Sequence, residues 1–396
     1  MLQLDFLLPL LPWLIILIPW MILFILDSTI QLEKHGIEVG PFMLMARTQR
    51  FNNFLNRVGK WHPRAWRYIW SGFVGVCFIF SLFGFYYLIV NLTEFLRALF
   101  QVPDAAPGPI VPLVPGVTMS FSFFLVLLIP LIISIVVHEM AHGISARSDD
   151  IPVKSSGIFA LLFLFGAFVE PDEEYVKTKT TRRVRARFFA AGSSANLGVA
   201  LIAFILITAL VVQAPQGVLI RDVVAGAPAD GVLSPYTVIT GMNDTVITNA
   251  DDLGTFLDNA HPGDLVILII NGVQLNLTLG SSPANASSAY MGIYLTDYYP
   301  LIPPFQYLGP AINYGFILNM LWLYVISLSL AIMNLLPIPP LDGDRLYKEL
   351  IDAAISLERT SGRVVLWGLR IFALVLLLLN IIFTVISPGL LLLFFG

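Results

Sequence analysis

Two histidines and a glutamate fall in the pattern His138-Glu139-Met140-Ala141-His142. On a helix, positions i and i+4 share a face, so both imidazoles can reach one cation. Glu139, beside the first of them, is placed to act as base on a water that the cation polarises. The chain has five histidines, and at that content this spacing is expected by chance only roughly 0.001 times. Two histidines leave a catalytic zinc site one protein ligand short. A candidate lies far downstream, in Asn334-Leu335-Leu336-Pro337-Ile338-Pro339-Pro340-Leu341-Asp342-Gly343-Asp344. Proline lacks the amide donor and clashes with the preceding turn, so a helix must stop there. Asp342 therefore falls on irregular backbone, which membrane proteins tolerate where it is buried in protein or lines a wet cavity. The alternative is that Asp342-Gly343-Asp344 is a solvated turn with Asp344 exposed; were Asp342 not a ligand, Asp344 would be the next candidate.

These residues need elements to hold them. Of 396 residues, 57% are hydrophobic and only 12% charged; the mean hydropathy is +0.82. Burying so much apolar surface in one water-soluble core is implausible, and the composition excludes disorder. A net charge of −4 with no rich basic run excludes a nucleic-acid binder. The single cysteine, Cys77, excludes a disulfide framework and a cysteine-rich metal site. A polytopic α-helical membrane protein is expected, with about six spans: 6–26, 70–92, 117–141, 188–213, 311–337 and 364–388. The first has no basic leader and no cleavage site, so it reads as a span and not a signal peptide. The histidine pair closes span three, and ionisable residues at membrane depth are functional by default. Span five ends at the same side, at similar depth, so Asp342 can meet the histidines.

The basic residues set the orientation. Of 22 Lys and Arg, seven lie in 34–67, eight in 147–187 and five in 345–370, leaving Arg97 and Arg221. Cytoplasmic loops carry the excess of basic residues. The expectation is a multi-pass protein of the cell (plasma) membrane, with its active site toward the cytoplasm. Residues 157–169 are apolar but too short for a helical span; they suggest a membrane-edge β-hairpin or re-entrant element, with a short interfacial helix as the alternative. Residues 214–303 differ from the rest, with one basic residue, eight Asp and short β-rich runs separated by turn signals. They read as a soluble, mostly β domain inserted on the outer side. The chain thus divides into two N-terminal spans with a basic loop (1–116), core helices with the hairpin (117–213), the inserted domain (214–303), a further core helix (304–345), and a cytoplasmic segment with the last span (346–396).

His-Glu-x-x-His in one span and Asn-x-x-Pro-x-x-x-Leu-Asp-Gly closing a later one resemble the site-2 protease family of intramembrane zinc metalloproteases. The family's Gly-x-x-x-Asn is matched by Gly192-Ser193-Ser194-Ala195-Asn196, although the proline that often follows the glycine is Ser193 here. The inserted domain resembles a PDZ domain through Val224-Ala225-Gly226-Ala227-Pro228-Ala229-Asp230-Gly231-Val232-Leu233 and Pro262-Gly263-Asp264. The resemblance covers about 117–345; spans one, two and six are peripheral in such families.

The resemblance implies that His138, His142 and Asp342 hold one Zn2+, with Glu139 as base. It also implies that Asn334 and Asn196 contact substrate or the oxyanion, although asparagine in a span can equally be interhelical glue. The implied function is an intramembrane zinc endopeptidase that cuts transmembrane segments of protein substrates in the bilayer. An inactive membrane scaffold working through the PDZ-like domain is the alternative, and an intact Glu139 argues against it. A helical substrate must be unwound first, and the 157–169 element could offer it a strand edge. The PDZ-like domain is expected to gate access. Gly217-Val218-Leu219-Ile220 has no obvious carboxylate-binding loop, which favours a size filter over peptide capture. Oligomeric state is not legible.

Overall fold

Apolar runs of twenty residues or more satisfy their backbone internally as helices, the only open-chain solution in lipid. In the structure, a computed structural model, residues 11–41, 43–161, 164–270 and 272–387 are described. In chain order the first elements are α1 (Leu11–Ile30), β1 (Ile37–Val39), β2 (Met43–Arg47), α2 (Gln49–Trp61), α3 (Pro63–Leu99) and α4 (Phe121–Ser148). There follow β3 (Val153–Leu161), β4 (Leu164–Pro171), α5 (Glu173–Lys179) and α6 (Arg182–Leu210). Next come β5 (Val218–Val223), β6 (Val238–Met242), β7 (Thr245–Val246), α7 (Ala250–Asp258), β8 (Leu265–Ile270) and β9 (Val273–Thr278). The last are β10 (Gly280–Ser281), β11 (Ala289–Tyr290), β12 (Ile293–Asp297), α8 (Pro310–Asn334), α9 (Asp342–Ala354) and α10 (Thr360–Ile386).

Among the described residues, five helices are long and apolar enough to cross a membrane: α3, α4, α6, α8 and α10. Six were expected. Residues 6–10 of the first expected span lie outside the described residues, and the apolar helix described there, Leu17–Asp27, is too short to count. The five long apolar helices fit a polytopic helical membrane protein.

The chain forms two compact units, 1–201 with 323–396, and 202–322. In the first, the expected 157–169 hairpin is real but larger. β3 and β4 pair antiparallel from Val153 opposite Pro171 to Leu161 opposite Leu164. They belong to an antiparallel sheet in the order β1-β2-β3-β4. Gly157 is needed there, because a Cβ would lie 2.0 Å from the Ala46 carbonyl oxygen of β2. Polar side chains fasten the helices. Ser81 on α3 donates to the Leu335 carbonyl (2.8 Å), Asn91 on α3 to Asn380 on α10 (2.9 Å), and Ser134 on α4 meets Ser327 on α8 (2.7 Å). Spans two and six were expected to be peripheral; Ser81 instead ties α3 to the turn before Asp342, and Leu88 of α3 with Ala373 and Leu376 of α10 packs against Leu336 and Ile338 of that turn.

The second unit is a β-rich region with an apolar core of Val218, Ile220, Met242, Leu253, Leu268 and Met291, all buried. Its main sheet runs β12-β5-β6-β8-β9, with β7 on β6. Gly217-Val218-Leu219-Ile220, where no carboxylate-binding loop was evident, leads into β5. Strand β5 carries β12 on one side and β6 on the other, so its edges are taken; β12 is the terminal strand. α7 is the short helix of this unit, and Asn249 caps it by accepting from the Asp252 amide (2.8 Å).

Candidate active site

His138 and His142 lie one turn apart near the C-terminal end of α4, both buried. Asp342 opens α9 after an irregular turn. Helix α8 stops at Asn334, and the chain reverses through short bonds, Ile338 N–H to Leu336 O and Leu341 N–H to Ile338 O, both 2.8 Å. Gly343 lets this turn close on itself. A Cβ there would lie 2.3 Å from the Leu335 carbonyl, so no other residue fits without moving backbone.

The turn brings the Asp342 carboxylate to the histidines. Asp342 Oδ2 is 2.9 Å from His142 Nε2 and 3.2 Å from His138 Nε2, and the two Nε2 atoms are 3.2 Å apart. A tetrahedral cation bound at about 2.0–2.1 Å spaces its ligand atoms by roughly 3.3 Å. The three donors therefore have the spacing of a zinc cage. Gly192 on α6 keeps the space open, because a Cβ there would fall 2.4 Å from both Nε2 atoms. The alternative ligand, Asp344, is engaged elsewhere: Arg370 of α10 grips its two oxygens at 2.6 and 2.8 Å, and Asp344 is buried. It is neither a solvated turn residue nor a metal donor.

His142 Nδ1 lies 2.9 Å from the Phe188 carbonyl oxygen. A carbonyl only accepts, so Nδ1 carries the proton and Nε2 keeps its lone pair for a metal. This partner is backbone and left no trace in the sequence. Glu139 is half-buried, and its Oε2 accepts the Val169 amide of β4 (3.1 Å). Opposite Val169 on β3 stands Ser156, whose carbonyl accepts the Thr48 amide on the far side (2.9 Å). The Val169 N–H thus points off the open edge of β4. Glu139, Asn334 and Asn196 line, with the three donors, one cavity of about 300 Å³. Arg345, which the sequence reading did not single out, lines it too. Asn196 is fully buried, its carboxamide nitrogen 3.3 Å from His138 Nδ1; Asn334, the last residue of α8, is half-buried.

Comparison with known proteins gives three findings. A profile of Peptidase family M50 matches residues 126–379. An uncharacterized protein of Methanocaldococcus jannaschii is 29% identical over 328 residues, which are 81% of this chain and 80% of that protein. The PDZ domain of an SdrC-like protein from Listeria monocytogenes aligns with 20% of this chain and 87% of its own, at 20% identity and a TM-score of 0.19. The M50 match spans the histidine pair, both asparagines and Asp342, and the chain belongs to that family of zinc metalloproteases, the site-2 protease family.

Proposed function

We propose that this chain is an intramembrane zinc endopeptidase, hydrolysing peptide bonds within or near transmembrane segments of other membrane proteins. The observation that carries the reading is the meeting of three lone-pair donors within 3.2 Å beside the Glu139 carboxylate. His138, His142 and Asp342 would hold the zinc. When bound, the ion supplies Lewis acidity, polarising a water and the scissile carbonyl. Glu139 takes the proton of the attacking water and returns it to the leaving amine. Asn334 faces the same cavity and is the amide suited to the substrate carbonyl or its developing charge.

Two further features support a membrane-borne substrate. A helix hides its amide bonds, and pairing with a strand edge exposes them. β4 presents such an edge beside the base through Val169. An apolar cavity of about 520 Å³ runs along α4 and the hairpin, and Ile135 lines both it and the catalytic cavity. An unwound apolar segment would pass from one to the other. The lopsided Lys and Arg distribution supports an orientation with the chemistry toward the cytoplasm and residues 214–303 outside, in what we take to be the plasma membrane.

The test is metal analysis of purified protein together with cleavage of a transmembrane peptide by wild type and Glu139→Gln. One zinc per chain and base-dependent cleavage are expected. Cleavage that survives Glu139→Gln, or a protein that binds no zinc, would overturn the reading.

A further inference from the structure

His142 and His138 are oriented by unlike partners. His142 has a backbone carbonyl on Nδ1. His138 has only the Asn196 side chain, with the carboxamide nitrogen at 3.3 Å and the carboxamide oxygen buried without a hydrogen-bond partner. A neutral imidazole carries one proton. If Nε2 of His138 is to bind a cation, the proton sits on Nδ1, and a donor then faces a donor. Turning the carboxamide about its last bond exchanges nitrogen and oxygen in the same space. The oxygen then accepts the Nδ1 proton, and the number of paired amide atoms is unchanged. Only this rotamer agrees with a lone pair on Nε2.

We infer that Asn196 is a positioning residue for the metal: its side-chain oxygen accepts the His138 Nδ1 proton and holds Nε2 bare toward the cation. This departs from the oxyanion or substrate contact that the family resemblance implied for it. It also gives the Gly192-x-x-x-Asn196 spacing a physical account. Four residues apart on α6, the two share a face. Gly192 leaves the room into which both Nε2 atoms project, and one turn on Asn196 sets the tautomer of His138. Both ligating histidines then have an oxygen behind them, one from the backbone and one from a side chain. Outer-sphere partners of this kind fix ring orientation and raise ligand basicity.

The inference rests on the zinc reading above, and the two fail differently. Co2+ is the probe, titrated against a competing chelator on full-length protein in detergent, for wild type, Asn196→Asp and Asn196→Leu. Aspartate keeps an acceptor oxygen; leucine keeps the size and loses it. Asn196→Leu should bind Co2+ about 10- to 100-fold more weakly, and Asn196→Asp within about threefold of wild type or tighter. Equal affinity in all three would overturn the inference while leaving the zinc reading intact. A wild type that binds neither Co2+ nor Zn2+ would overturn both. Should Asn196→Leu fail to fold, nitrogen-15 spectra of histidine-labelled, zinc-loaded protein decide. Asn196→Asp should move the protonated Nδ1 signal of His138 and leave that of His142 in place, and an unmoved His138 signal overturns the inference.

Discussion

The two units of this chain solve opposite problems of specification. Residues 218–297, the β-rich part of the second unit, fold around an apolar core in which Ile220, Leu253 and Leu268 are sealed from solvent. The other unit, with helices that lipid surrounds, gains little from burying one apolar face against another. Its interior holds what the β-rich core lacks: Ser81, Asn91, Ser134, Ser327, Asp344 and Asn380, all buried and nearly all paired across helices. In the first case water writes the packing. In the second, hydrogen bonds and close contacts at glycine do so, and the same buried polarity is available for catalysis.

The strongest way to sharpen that contrast is to separate chemistry from architecture. Glu139→Gln should lower turnover by about three orders of magnitude or more while zinc content and melting temperature stay near wild type, since only the proton acceptor is lost. A large drop in thermal stability would show the base to be part of the scaffold. Next in size is the lock behind the metal turn. Arg370→Leu leaves Asp344 charged and buried, and should cost about 3–5 kcal/mol with loss of zinc, whereas Asp344→Leu with Arg370→Leu should recover most of it. Denaturant unfolding and metal content check this, and a single variant as stable as wild type would refute it. In the β-rich unit, Leu268→Ala should cost about 2–5 kcal/mol by opening a cavity. Hydrogen exchange should rise across 218–297 while zinc stays bound, because no ligand lies there; loss of zinc would deny the independence of the two units. Smallest of all, Ser327→Ala should cost only about 0.6 kcal/mol, the typical worth of one interhelical bond in a membrane. A cost above that of Leu268→Ala would invert the comparison.

Much of the site could be read directly. His138, His142 and Asp342, the group that could hold a metal, are side chains, and their spacing and the prolines before Asp342 carry the information. The spans follow from apolar runs. What stayed hidden is backbone or non-local. The Phe188 carbonyl behind His142 has no residue signature. β1 and β2 are three and five residues long; β2 pairs with β3, more than a hundred positions onward, and β1 pairs in turn with β2. Arg370 reads as one more basic residue of a loop edge until its contact with Asp344 is seen. The pairing of β5 with β12 was hidden too, because β12 comes from the far end of the inserted domain.

The contact between His142 and Asp342 joins positions 200 apart in the chain. During synthesis the two histidines enter the membrane long before their third ligand exists. The intervening spans and the whole β-rich region must be made, and the turn at Gly343 closed, before a cation can be held by three groups. On the proposed zinc reading, metal capture is therefore among the last events of biogenesis. A chain truncated before Asp342 carries Glu139 and the two imidazoles but lacks the third donor. On that same reading, the order of translation itself keeps the three donors apart until the turn at Gly343 has been made.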